Sequence, residues 1–265
     1  MVVIKKDIIY DNTHNLKTDI YFPNNTTTKT KIMIFWHGGG WFRGDKDSVK
    51  WLGIKLANAG FMTLIPNYRL APKNKFPAAH EDAKYFVNWL LASQYTDQDD
   101  RHNIVQIGAS SGGTLALYLA GLYGFPTVTW SAPVNFSTWI KDHAQVTPAK
   151  DAKKELGLTK QADINQAFYK YFTLTYANLP DLPKLDADNY NYNNLSHLFM
   201  INSAQELTDL SDVLTLIKKL AALDHTIQLL VVKGSRHAMD YANDYLDESL
   251  DFLFQALKGL KDDRH

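Results

Sequence analysis

Residues 104–117 read IVQIGASSGGTLAL. An apolar run, Ile104 to Ile107, enters the turn Gly108-Ala109-Ser110-Ser111-Gly112, and Gly113 then leads into small and apolar residues. A short apolar run ending in glycine reads as a strand buried on both faces, and the stretch after the turn reads as a helix. Gly-x-Ser-x-Gly in that strand–turn–helix context lifts a serine hydroxyl out of a tight turn whose neighbours must be small. The helix that follows aims its first N–H groups at negative charge developing beside Ser110. No lysine follows the glycines, so a nucleotide-binding P-loop does not fit this turn. Because Gly108 and Gly112 flank Ser110 symmetrically, Ser110 is the expected nucleophile and Ser111 the donor of a backbone N–H.

Outward from this turn the same alternation recurs. Ile32 to Trp36, Phe61 to Ile65, Thr127 to Trp130, Leu198 to Asn202 and Ile227 to Val232 are further apolar runs. Helix-length segments lie between most of them, at about 48–59, 77–92, 111–123, 209–223 and 241–258. In the fourth, Leu210, Val213, Leu214, Ile217 and Leu220 recur at helical spacing. Residues 2–10 and 16–22 look like strands with partial alternation, and NNTTTKTK at 24–31 reads as a hairpin or exposed loop. Strands alternating with helices imply right-handed crossovers and an α/β fold. From about Asn135 to Asn194 no strand is evident, and Trp139, Phe168, Tyr169, Tyr171, Phe172 and Tyr176 are concentrated there. That stretch is either a set of helices packing beside the core or a cap, at 135–195, over a pocket at the strand ends.

Composition narrows the function classes. The 265 residues suit one α/β domain, 1–265, with a core large enough to need no staples. Lys+Arg 28 balance Asp+Glu 28, so neither nucleic acid nor an anionic membrane is an expected partner. The absence of cysteine excludes disulfides, a thiolate nucleophile and thiolate zinc sites. The first residues, MVVIKKDIIY, lack a signal-peptide core, and no apolar run is long enough to span a bilayer, so a cytoplasmic location is expected.

Two further segments supply parts that acyl transfer needs. Ile32 to Trp36 ends in His37-Gly38-Gly39-Gly40-Trp41. Consecutive glycines cost backbone entropy, and an oxyanion hole rewards them, since N–H groups can then approach the oxyanion unobstructed. The N–H groups of Gly39, Gly40 and Ser111 are assigned this role, and His37 is read as ordering the loop. A serine also needs a base, and His237 follows the last strand in Lys233-Gly234-Ser235-Arg236-His237-Ala238-Met239. The histidines His14, His80, His102, His143, His197, His225 and His265 lack ligand-like spacing, so no metal is expected.

HGGGWFRGDKDS at 37–48, NYRLAPKNKFPAAHEDA at 67–83 and GASSGG at 108–113 together resemble the α/β-hydrolase esterases related to hormone-sensitive lipase. The nearest branch in appearance holds the small carboxylesterases and acetyl-xylan-esterase-like enzymes. The similarity runs from about residue 15 to 258 and is weakest at 135–195. It implies an α/β-hydrolase fold with a mostly parallel eight-stranded sheet, a small helical cap, and no cofactor. Tyr68-Arg69-Leu70, Phe76-Pro77 and Asp82 read as scaffold, with Asp82 early in a helix where its charge suits the dipole. His-Ala-Met at 237–239 departs from the family's usual His-Gly-Phe.

The departure that matters is the acid. The family's carboxylate position falls on Gln205, which cannot carry charge. Glu206, adjacent, is the first substitute, and Asp209, whose alternative role is a helix N-cap, is the second. A dyad without acid is the third reading. The expected function is hydrolysis of a small-molecule carboxylic ester, with short acyl chains, through an acyl-enzyme on Ser110 with His237 as base. Two alternatives stay open: an amidase, arylformamidase or peptidase on the same machinery, which Trp41, Trp130 and Trp139 near the strand ends would suit, and a non-catalytic binding protein with a degraded triad. Oligomeric state is not legible, and a homodimer is admitted.

Overall fold

The computed structural model describes residues 1–24, 31–97, 100–223 and 225–262. The loop expected over 24–31 falls, for residues 25–30, outside the described residues. Eight strands form one sheet: β1 Val3–Asp11, β2 Leu16–Phe22, β3 Lys31–Trp36, β4 Phe61–Pro66, β5 Ile104–Ala109, β6 Thr127–Trp130, β7 His197–Ser203 and β8 Thr226–Val232. Their order is β1-β2-β4-β3-β5-β6-β7-β8. β2 pairs antiparallel with β1 and β4, and the other neighbours are parallel.

Parallel strands need crossovers, and the helices supply them. They are α1 Lys50–Asn58, α2 Ala78–Ala92, α3 Ser111–Tyr123, α4 Ser137–Asp142, α5 Ala152–Leu156, α6 Gln161–Tyr176, α7 Leu182–Leu185, α8 Leu210–Ala221, α9 Tyr241–Asp244 and α10 Leu246–Asp262. In β3, Met33 and Phe35 pack with Leu52 and Leu56 of α1 and Leu250 and Leu253 of α10. Ile32, Ile34 and Trp36 pack with Phe86 of α2 and Leu115 of α3. Burial on both faces is why these strands read as unbroken apolar runs. Gln106 of β5 is one of the polar residues buried in the sheet, and it is satisfied. Gln106 accepts from Trp36 Nε1 at 2.9 Å and donates to Ala116 O at 2.9 Å and Thr127 Oγ1 at 2.8 Å.

Two readings of the helices need correction. The segment expected as one helix over 241–258 is two, broken at Tyr245, whose backbone leaves helical values at φ −132°. In α8 the buried stripe is Val213, Leu216 and Leu220, whereas Leu214 faces solvent. Among the described residues, no helix is long and apolar enough to cross a membrane.

Between β6 and β7 the chain forms α4 to α7 and no strand. Tyr169, Phe172 and Tyr176 of α6 are buried against the core, while Phe168 and Phe172 wall a cavity beside Ser110. The C-terminal ends of β3, β5, β7 and β8 therefore carry His37, Ser110, Glu206 and His237 on the loops that leave them.

Candidate active site

Ser110 stands between the last residue of β5 and the first of α3 with φ 52° and ψ −125°. A left-handed backbone at a non-glycine residue costs about 1 kcal/mol or more, so its surroundings must hold it. Its N–H donates to Trp130 O at 2.8 Å, and its carbonyl accepts from Gly113 N–H at 2.7 Å. The turn also presses α3 against β3. A Cβ on Gly112 would sit 2.2 Å from Trp36 O and 2.5 Å from His37 O, which explains the glycine. Ser111 is fully buried, and its Oγ accepts from Trp41 N–H at 3.4 Å. Its hydroxyl is occupied elsewhere, and Ser110 carries the hydroxyl that faces the cavity.

The His37–Trp41 loop wraps this turn. Gly39 has φ +124° and Gly40 φ +61°, and a Cβ on Gly39 would meet Arg43 O at 2.1 Å. Gly39 O accepts from Phe42 N–H at 3.3 Å and Arg43 N–H at 3.2 Å, which closes the loop into a turn. Gly38, Gly39, Gly40 and Ser110 line one cavity of about 280 Å³. Among the described residues, the N–H groups of Gly39, Gly40 and Ser111 donate to no protein acceptor.

His37 lies behind this loop. Its ring stacks on Tyr68 at 4.4 Å, its Nδ1–H donates to Gly38 O at 2.9 Å, and its carbonyl accepts from Tyr68 Oη at 2.8 Å. Burial pushes its pKa down to about 4, so the ring is neutral and structural. Asp82 does more than face a helix dipole: it grips Arg69, with Nη2 at 2.7 Å and Nε at 2.8 Å, and accepts the Arg69 N–H at 2.7 Å.

His237 reaches Ser110 from the loop after β8. Its Nε2 lies 3.0 Å from Ser110 Oγ, and its Nδ1 lies 2.6 Å from Glu206 Oε2. The carboxylate accepts at Nδ1, which fixes the tautomer that leaves Nε2 free to accept from the serine hydroxyl. The Glu206 side chain is fully buried. Its other oxygen accepts from Ser203 N–H at 2.7 Å, Asn202 Nδ2 at 3.2 Å and Tyr241 Oη at 3.4 Å. Burial first, and the Glu206 charge second, push the Tyr241 phenol up to about 12 and keep it protonated as a donor. Two backbone bonds zip the loops together: Ala204 N–H to Val232 O at 2.8 Å, and Gln205 N–H to Gly234 O at 2.9 Å. Gln205 itself is exposed. Asp209 caps α8, accepting from Ser211 N–H at 2.9 Å.

The partners Asn202, Ser203 and Tyr241 had no signal in the sequence, since each acts only through Glu206. Ala238, after the histidine, has φ +52°, a conformation glycine adopts more readily, and its N–H donates to Ser131 Oγ at 3.0 Å. Trp41 and Trp130 do not line the cavity as expected for an aryl-binding site. Trp41 stacks on Tyr176 at 4.5 Å, and Trp130 donates to Ser249 Oγ at 3.1 Å, both fully buried. Trp139 lines a neighbouring cavity. Among the described residues, one group of potential metal ligands exists, Asp11, His14 and Asp82. Asp82 already serves the Arg69 cation and Asp11 the His14 ring at 2.6 Å, and the group is separate from Ser110.

Comparison with known proteins agrees with this architecture. The family model described as BD-FAE matches residues 18–127. Probable carboxylesterase 4, mitochondrial, of Arabidopsis thaliana is 24% identical over 60% of this chain and 48% of its own length. The chain spans less than half the length of the curated relatives it matches first. A Pyrobaculum calidifontis esterase superposes with TM-score 0.71 at 22% identity, covering 98% of this chain and 85% of that one. An esterase from the bacterial hormone-sensitive lipase family does so with TM-score 0.68 at 20% identity, covering 98% and 84%. The fold is that of the α/β-hydrolases, and the stretch that the family model matches contains both HGGGW and GASSGG.

Proposed function

We propose that this α/β-hydrolase hydrolyses small carboxylic esters through an acyl-enzyme on Ser110. The observation that carries the reading is the unbroken chain of contacts from Glu206 Oε2 through His237 to Ser110 Oγ, 2.6 Å and then 3.0 Å. Ser110 Oγ attacks the ester carbonyl while Nε2 of His237 takes its proton. Glu206 holds the ring's tautomer and offsets the imidazolium charge. The N–H groups of Gly39, Gly40 and Ser111 are the proposed donors to the tetrahedral oxyanion. His237 then protonates the departing alcohol, and water attacks the acyl-enzyme with the same base assisting.

The cavity size supports a short acyl chain. Val49, Phe168, Phe172, Leu207 and Met239 line the space of about 280 Å³ around Ser110, the lower end of the range for ligand pockets. Phe168 and Phe172 come from α6, so residues 135–195 are proposed to serve as a cap as well as packing on the core. The relatives' printed names, carboxylesterase and esterase, favour ester over amide cleavage. The burial of Trp41 and Trp130 takes away two of the three tryptophans that pointed to an aryl amide, and the third, Trp139, lines the neighbouring cavity and not the one around Ser110.

A panel of p-nitrophenyl esters from acetate to decanoate, set against aminoacyl anilides and N-formylkynurenine, tests this. The expected result is turnover of the acetate-to-butyrate esters with kcat/KM above every amide. Higher kcat/KM on the amides would overturn it.

A further inference from the structure

The cavity at Ser110 does not end at its apolar wall. A second cavity, of about 610 Å³, shares Arg43, Phe168, Leu207 and His237 with it. Its charged lining is Arg43, Lys150 and Lys153 against one carboxylate, Asp151. That carboxylate is engaged, since it accepts Lys154 N–H at 3.2 Å and caps α5. None of the three cations has an acidic partner among the described residues.

Aromatic rings hold two of these cations, Arg43 and Lys150, in place instead. The Arg43 guanidinium sits 5.3 Å from the ring centres of both Phe42 and Phe168, and Lys150 Nζ lies 5.7 Å from Phe42. Phe168 is also a wall of the Ser110 cavity, so the guanidinium is anchored at the border of the two spaces. A cation over a ring keeps its N–H donors directed outward, free for an incoming anion.

On the other flank the charge reverses. A cavity of about 630 Å³ shares Gln161, Asn165, Leu207 and Ser235 with the cationic one, and its lining includes the exposed Asp209 and the buried Glu206 side chain but no lysine or arginine. The whole chain has zero formal charge, so the contrast is local. A negatively charged group on a bound ester would be drawn to one flank and repelled from the other.

We infer that Arg43 and Lys150 form an anion subsite beside the reacting serine, and that the preferred substrates are esters carrying a free carboxylate. This rests on the hydrolase reading above. Both cations are solvent-exposed, so the gain from pairing is modest and sensitive to salt.

The test compares matched charged and neutral esters after subtraction of spontaneous hydrolysis. p-Nitrophenyl hemiglutarate against p-nitrophenyl pentanoate places the carboxylate on the acyl side, and the butyrate esters of 4-hydroxybenzoate and 4-hydroxybenzamide place it on the alcohol side. In one arm the charged ester should have kcat/KM about fivefold higher at low ionic strength, mostly through KM, and the ratio should fall as salt is added. Arg43→Gln and Lys150→Gln should each lower the ratio, Arg43→Glu should bring it below one, and Lys84→Gln, on the exposed face of α2, should leave it unchanged. Ratios at or below one in both arms, with neutral esters turned over in a Ser110-dependent way, would overturn the subsite and leave the hydrolase standing. No turnover of any ester and no covalent labelling of Ser110 would overturn both.

Discussion

Glu206 Oε2 and His237 Nδ1 meet at 2.6 Å, 31 residues apart in the chain, with the carboxylate fully buried and the imidazole partly open to the cavity. The contact is built from the carboxylate side. Oε1 accepts from Ser203 N–H, Asn202 Nδ2 and Tyr241 Oη, so Glu206 is held before it reaches the ring. A buried carboxylate is tolerable only when so many donors serve it. This preorganisation is what would let a displaced acid do an acid's work.

Glu206→Gln should therefore cut kcat by about 10⁴-fold while the protein stays folded, because the amide loses the charge and upsets the ring's tautomer. Asp209→Ala should cost about 1 kcal/mol of stability through the lost N-cap and leave kcat within a few-fold. Steady-state kinetics beside denaturant melts of both variants check this pair. The reverse pattern would move the acid to Asp209.

Much of this was legible in the sequence, for a physical reason. Strands buried on both faces must be largely apolar, so β3 to β7 stand out, and the close approaches at Gly39 and Gly112 can be met only by glycine. The acid was not legible to the residue. Gln205 and Glu206 are neighbours, and what chooses between them is the Ser203 N–H bond to Oε1 together with the Gln205–Gly234 bond between loops. Neither leaves a trace in spacing. Trp41 and Trp130 misled for a similar cause: proximity to strand ends says nothing about which way a large ring turns, and both turn into the core. The cations Arg43 and Lys150 are 107 residues apart in the chain and become a pair only in the fold, where both lie beside the ring of Phe42.

Two glycines should respond oppositely to alanine. In Gly112→Ala the new Cβ meets the Trp36 and His37 carbonyls, backbone that cannot swing away. A loss of about 1–3 kcal/mol is expected, with Ser110 displaced and activity falling about 100-fold or more. Gly259 lies in α10 with nothing within 4 Å of an added Cβ, so Gly259→Ala should stabilise by about 0.5–1 kcal/mol and leave activity alone. Thermal melts and ester turnover on the two variants would reveal the contrast, or its absence.

The helix that carries the Asp209 cap also holds a carboxylate with an unusual titration. Burial first, and then Asp209, Asp188, Asp186 and Asp142, push Asp212 up to about 7 from its ordinary 3.8. The folded state then holds a proton that the unfolded chain has released, so Asp212 loses stability as pH rises from about 4 towards 7, and its full cost is present above that. Asp212→Asn should raise Tm relative to the parent by more at pH 8 than at pH 5. An equal shift at both pH values would show that the carboxylate is ionised without penalty.

The central claim is that Ser110, and not its neighbour, is the activated nucleophile. Labelling by a fluorophosphonate probe, read by intact mass and by the modified peptide, tests it most directly. One adduct on Ser110 is expected in the native protein and in Ser111→Ala, with none in Ser110→Ala and a rate lowered by orders of magnitude in Glu206→Gln. An adduct that survives Ser110→Ala, or a folded native protein that takes no label, would contradict it.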